Sequence, residues 1–187
     1  MDATPEDIDG LTIRLLTAGD DLALLTALLH RAYGALAERG MRFLASYQDV
    51  ATTARRIARG QCAVAEWGGG VIGTVLFRPA GGGGRSTPWY LQPDVATVGQ
   101  FAVEPAWQRR GVGGRLMDWA EARARESGAA EVALDTAETA DDLIRFYTRR
   151  GYRFVEHVNW GDVVNYRSVV MSKTLVMKKT SAEADPT

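Results

Sequence analysis

The chain has 187 residues, 46% of them hydrophobic and 24% charged, which is enough apolar material for one well-buried core and argues against disorder. Its formal net charge of −1 gives no global field toward nucleic acid or an anionic membrane, and no run of about 18 apolar residues exists to cross one. Cys62, the one cysteine, closes no intramolecular disulfide, and with two histidines it supplies no metal-ligand spacing. The acidic stretch Met1–Asp7 lacks the apolar core of an export signal, so the expectation is a cytoplasmic protein without structural metal.

Residues 1–10 and 177–187 are polar with little to bury and read as flexible tails around a single domain, residues 11–176. Within it, Leu11–Leu16 begins with period-two alternation and reads as a strand. Leu22, Leu25, Leu28, Leu29, Ala32 and Leu36 then recur at helical spacing before Gly40, and a weaker helical stretch runs from Gln48 to Arg59. Cys62–Trp67 and Val71–Phe77 flank three glycines as a hairpin, and Gly81–Ser86 is a flexible loop without the lysine of a phosphate loop. Ala96–Val103 is a strand stopped by Glu104-Pro105, Val112–Ser127 a helix ended by Gly128, and Glu131–Asp135 a further strand. Thr139–Asp142 can cap a helix carrying Leu143, Ile144, Phe146 and Tyr147, after which Tyr152–Val158 and Arg167–Leu175 form a closing antiparallel pair. Hairpin-linked and helix-linked strands together predict a mixed α/β fold, with a sheet covered by helices on both faces.

The segment Gln100–Leu116 runs strand, turn, glycine-rich loop, helix. A glycine-rich turn that opens a helix presents backbone N–H groups at the positive end of the helix dipole. Glycines at 111, 113 and 114 clear the approach for a diphosphate, while Arg109, Arg110 and Arg115 place positive charge where the dipole disfavours it. An anionic ligand resolves that conflict. A dinucleotide fingerprint is rejected, because Gly111-Val112-Gly113-Gly114 lacks the third glycine spacing and arrives after several other elements.

Gln108-Arg109-Arg110-Gly111-Val112-Gly113 resembles the Gln/Arg-x-x-Gly-x-Gly/Ala motif of the GCN5-related N-acetyltransferase (GNAT) superfamily, and Phe101–Pro105 resembles its fourth strand and exit. Phe146-Tyr147-Thr148-Arg149-Arg150-Gly151-Tyr152 is similar to its Phe-Tyr-x-x-x-Gly-Phe/Tyr signature. The resemblance spans about Leu11 to Leu175. It implies the acyl-CoA N-acyltransferase fold, a twisted, predominantly antiparallel sheet with helices on both faces. It also implies an acetyl-CoA-dependent N-acetyltransferase that transfers acetyl directly to a primary amine of a small-molecule acceptor, with no metal, nucleic acid or membrane partner, and a possible homodimer.

Residue by residue, the resemblance assigns the pyrophosphate of acetyl-CoA to Gln108, Arg109, Arg110, Gly111, Val112, Gly113 and Gly114, and the pantetheine to backbone of Phe101, Ala102 and Val103. Ala140 stands beside the cofactor in the family pattern, and Tyr147 donates a proton to the departing thiolate. Two positions depart from that pattern. The fourth-strand glutamate of many members is Thr97 here, which leaves Glu66, Asp94, Glu104 or a water held by Thr97 or Gln100 as bases, and His30 and His157 as titratable but structural candidates. The asparagine after the fifth strand is Ala137, so Thr136 or Glu138 would substitute. Tyr33, Met41, Phe43, Tyr47, Trp89, Tyr90, Trp160 and Tyr166 are expected to build the acceptor pocket. Rival readings are an acyltransferase for longer acyl groups, whose pantetheine contacts would be the same, and an acyl-CoA-binding module without turnover.

Overall fold

The computed structural model describes residues 8–81 and 87–175. Its elements are β1 (Thr12–Leu15), α1 (Leu22–Glu38), α2 (Val50–Ile57), β2 (Gln61–Trp67), β3 (Gly70–Arg78), β4 (Val95–Val103), α3 (Val112–Glu126), β5 (Glu131–Ala137), α4 (Asp141–Arg149), β6 (Arg153–Val158) and β7 (Ser168–Thr174). Helices α1 and α2 begin where Asp21 and Asp49 accept hydrogen bonds from first-turn N–H groups. Helix α4 differs from the expectation: its N-cap is Ala140 and no side chain caps it, so Thr139 plays no such part, although Asp141 and Asp142 still sit in the favourable first turn.

The seven strands form one sheet in the order β1-β2-β3-β4-β5-β7-β6, antiparallel except for β4 against β5. Strand β7 enters between β5 and β6, pairing Glu131–Ala137 along its whole length, so the closing pair lies in reverse spatial order at the sheet edge. Side-chain alternation sorts the core. Ala63, Ala65, Val75, Phe77, Val98 and Leu134 pack beneath α3 and α4, whereas Cys62, Val64 and Leu76 pack against Leu25 of α1.

Of the two expected tails, residues 1–7 and 176–187 lie outside the described residues, as do residues 82–86 of the expected flexible loop. Ile8 packs on the main core and the Asp9 carbonyl accepts the Trp67 indole N–H, so the chain is already anchored there. No helix among the described residues is long and apolar enough to cross a membrane.

Candidate active site

The glycine-rich loop reaches α3 through two left-handed residues, Arg109 (φ 61°) and Gly111 (φ 89°). Only Gly111 adopts that conformation without steric cost. Unlike α1 and α2, α3 starts with no side-chain cap, so its leading N–H groups have no side-chain acceptor among the described residues. A Cβ on Gly113 would stand 3.1 Å from Cζ of Phe101, so glycine there lets β4 lie close under the helix start. A Cβ on Gly114 would meet only Arg150 Nη1, at 3.8 Å. Internal packing therefore does not demand glycine at 114, and an open approach for a bulky anion is what it supplies. Gln108 Nε2 donates to the Val103 carbonyl at 3.1 Å, Arg110 lies over the Trp107 ring at 5.3 Å, and Arg115 Nη1 donates to the Leu11 carbonyl at 3.2 Å. Neighbours thus hold two of the three arginines, and Arg109 stays exposed.

Strands β4 and β5 are in register only over Val95–Thr97 with Glu131–Ala133 and then part. Beyond that point the β5 side of β4, including Phe101, Ala102 and Val103, has no strand partner and opens a cleft toward the start of α3. A bulge sharpens the divergence: Gln100 has φ 45°, and the register with β3 slips between Gly99 and Ala102. The Phe101 ring stacks on Phe146 (centroids 5.8 Å apart, 12° between planes) and lies 6.3 Å from the Tyr147 ring, joining the helix start to α4.

Tyr147 is buried, borders the cavity described below, and its hydroxyl makes no hydrogen bond among the described residues. Burial pushes its pKa well above the ordinary phenol value, so it stays a proton donor at every physiological pH. Ala140 sits apart from this group, fully buried in a cluster with Met41, Phe43 and Ala137 at the start of α4.

On the α1 and α2 side, β4 floors a cavity of about 360 Å³. Five of the eight expected pocket residues line it: Tyr33, Phe43, Tyr90, Trp160 and Tyr166. Met41 lies in the core behind Phe43, Tyr47 is exposed under the Arg42 guanidinium, and Trp89 lies outside the lining with Arg153 over its ring. Three base candidates fall away: Glu66 pairs with Arg14, Glu104 with Arg31, and Asp94 is exposed at the far end of β4. His30 holds the Gln48 carbonyl, and His157 lies 3.9 Å from Glu138. Thr97 and Gln100 do line the cavity, as does Thr136, whereas Glu138 is tied to Arg167.

Four lining side chains escaped the sequence reading: Asp135, Arg56, Arg59 and Arg78. Asp135 accepts hydrogen bonds from the Tyr90 hydroxyl (3.2 Å) and the Trp160 indole (3.0 Å). Its signal was a charged residue directly after the apolar run Val132–Leu134 of β5. Behind the cavity, Gln48 Nε2 donates to Gln100 Oε1 (2.8 Å) and Thr53 Oγ1 (2.7 Å), and Arg56 Nη1 donates to Gln48 Oε1 (2.5 Å). This buried chain fixes α2 to the β4 bulge.

Residues 23–152 match the model of the Acetyltransferase (GNAT) family. The chain is 31% identical over 137 residues to an S-(2-succino)cysteine N-acetyltransferase of Bacillus subtilis (strain 168), covering 71% of this chain and 78% of that protein. A shorter stretch of 59 residues is 34% identical to an aminoalkylphosphonate N-acetyltransferase of Salmonella typhimurium, covering 32% and 38% of the two chains. The fold superposes on a GNAT family acetyltransferase from Elizabethkingia anophelis with acetyl-CoA bound, with a TM-score of 0.63, 16% identity and coverage of 89% and 99%. The family model covers more than half of the chain and the Bacillus subtilis relative is matched over more than two thirds of both lengths, so the chain belongs to the GNAT family as an acetyl-CoA-dependent N-acetyltransferase.

Proposed function

We propose that the enzyme transfers acetyl from acetyl-CoA to the primary amine of a small-molecule acceptor, by direct attack with both substrates bound. The observation that carries this reading is the cleft between β4 and β5, with the uncapped start of α3 at one end and the Tyr147 hydroxyl at the other. Backbone N–H groups from Gly111 to Gly114 hold the pyrophosphate, with Gln108, Arg109 and Arg110 around it, while the edge of Phe101–Val103 that lacks a strand partner pairs with the pantetheine as an added strand would, its Phe101 and Val103 carbonyls already accepting from the Tyr33 hydroxyl (2.8 Å) and Gln108 Nε2 (3.1 Å). An N–H of the same edge polarises the thioester carbonyl.

The acceptor enters from the opposite side, through the aromatic cavity. Asp135, the one carboxylate on that wall among the described residues, takes the amine proton directly or through a water, filling the role that Thr97 cannot. The amine then attacks the carbonyl carbon, the C–S bond breaks, and Tyr147 gives its proton to the sulfur. The acceptors in the names of both relatives, S-(2-succino)cysteine and aminoalkylphosphonate, support a small-molecule amine. The lone buried thiol of Cys62 supports a cytoplasmic setting, and the exposed Phe154 on edge strand β6 supports a homodimer.

Calorimetric titration tests the reading. Micromolar binding of acetyl-CoA and desulfo-coenzyme A, with adenosine diphosphate much weaker, is expected. Equal binding of all three removes the strand-pairing role of β4.

A further inference from the structure

The polar wall of the acceptor cavity is rich in donors and poor in acceptors. Arg56, Arg59 and Arg78 all border it, and none forms an ion pair among the described residues. Five arginines elsewhere, Arg14, Arg31, Arg150, Arg153 and Arg167, each meet a carboxylate. Asp135 is the sole acidic group on the wall among the described residues, and Tyr90 and Trp160 already donate to it.

The arginines are also placed deliberately close to the chemistry. A Cβ on Gly99 would stand 3.2 Å from Arg78 Nη1, so the guanidinium lies directly over β4 two residues before Phe101. Burial and the like charges of Arg56 and Arg59 push the Arg78 pKa down to about 10, which is the signature of a cation without a counter-ion. Two further polar atoms stand without a partner on the same wall: Nε2 of Gln100, a side chain only 3% exposed, and Oγ1 of Thr136, 1% exposed. These two atoms are sealed from open space, so the polar groups that meet a ligand in the cavity are the three guanidinium groups, and cations without a carboxylate on one cavity wall point to an anion that satisfies them.

We infer that the acceptor is an amine bearing a compact anion, a carboxylate or phosphonate, held by Arg56, Arg59 and Arg78. The inference rests on the acceptor occupying this cavity. Planar guanidinium groups suit both oxyanions, because each presents paired N–H donors to paired oxygens. The same wall repels polyamines and other polycations.

The test uses the full chain and matched probes: L-phenylalanine against phenethylamine, and 3-aminopropylphosphonate against propylamine. Thiol release reads kcat/KM, and quenching of tryptophan fluorescence reads binding independently of turnover. One acid is expected to exceed its neutral partner by at least 100-fold in kcat/KM, and whichever pair does so tells carboxylate from phosphonate. Arg78→Met should lower the kcat/KM of that acid about 30-fold, mainly through KM. Arg59→Gln, at an exposed position where folding is not at risk, should lower it about fivefold in the same way. Acids that bind in an Arg78-dependent manner without thiol release uphold the anion site and overturn the acetyl-transfer reading. Neutral amines turned over as well as the acids, or acid preference intact in both variants, overturn the anion site and leave acetyl transfer standing.

Discussion

Replacement of Tyr147 by phenylalanine separates chemistry from architecture at this site. The ring is 5% exposed and wedged among Phe101, Phe146 and Tyr152, and phenylalanine keeps all of those contacts. The hydroxyl it removes makes no hydrogen bond among the described residues, so unfolding free energy in urea should stay level or rise by about 1 kcal/mol. A positioned general acid contributes roughly 10²–10⁴ in rate, or about 3–5 kcal/mol of barrier. Thiol release should therefore show kcat lower by at least 100-fold, with acetyl-CoA affinity by calorimetry within about twofold of the parent. Because burial holds this phenol well above its ordinary pKa, its ionisation imposes no alkaline fall in rate below about pH 10. A folded phenylalanine variant with kcat within threefold of the parent would refute the proton-donor role. A matching loss of stability would show that Tyr147 is only a core residue.

Glu121 is 3% exposed and collects Lys173 (2.6 Å), Arg150 (3.0 Å) and Arg125 (3.8 Å); Glu121→Ala leaves Lys173 without a carboxylate among the described residues and Arg150 with only Asp118, and should cost about 1–3 kcal/mol in urea unfolding, whereas no measurable cost would mean the network is solvent-screened. Gly111→Ala, at φ 89°, should cost about 1–2 kcal/mol and weaken acetyl-CoA binding through displaced loop amides; unchanged affinity would relocate the pyrophosphate. Alkali should destabilise the fold. Tyr147 and Tyr152 keep their protons in the folded state to well above pH 10, while the unfolded chain releases them near 10, so unfolding free energy falls as pH rises. Tyr33, Tyr90 and Tyr166 are shifted upward by burial in the same sense, so the five tyrosines together outweigh the opposing contribution of the depressed Arg78, and the net loss above pH 10 is at least about 1.4 kcal/mol per unit. Urea midpoints that hold steady from pH 9 to 11 would contradict it.

What was legible in the sequence was local. Glycine and arginine spacing at 108–114 marks a helix start because backbone conformation there is set by the residues themselves. Periodicity located the helices and strands for the same reason. The insertion of β7 between β5 and β6 was not legible, since alternation in residues 152–175 fixes which strands exist and not which neighbour each takes. Asp135, Arg56 and Arg78 stand on β5, α2 and the end of β3 and meet only after folding, so no spacing announces them. Base candidates offered because Thr97 replaces the usual glutamate lose that role where Glu66 and Glu104 have ion-pair partners in space, Arg14 and Arg31, which no sequence pattern announces.

The brief contact between β4 and β5 has a mechanical meaning as well. Three residue pairs, Val95–Thr97 with Glu131–Ala133, join the half-sheet β1-β2-β3-β4 to the half-sheet β5-β7-β6. Sheets usually keep unpaired edges at the periphery, where charge or a covering loop protects them. This sheet carries two such edges in its interior, roofed by α3 and α4. Whatever threads between them completes the missing ladder and splices the halves together, so amide exchange along Phe101–Val103 and Asp135–Ala137 reports directly whether the seam is open or sewn.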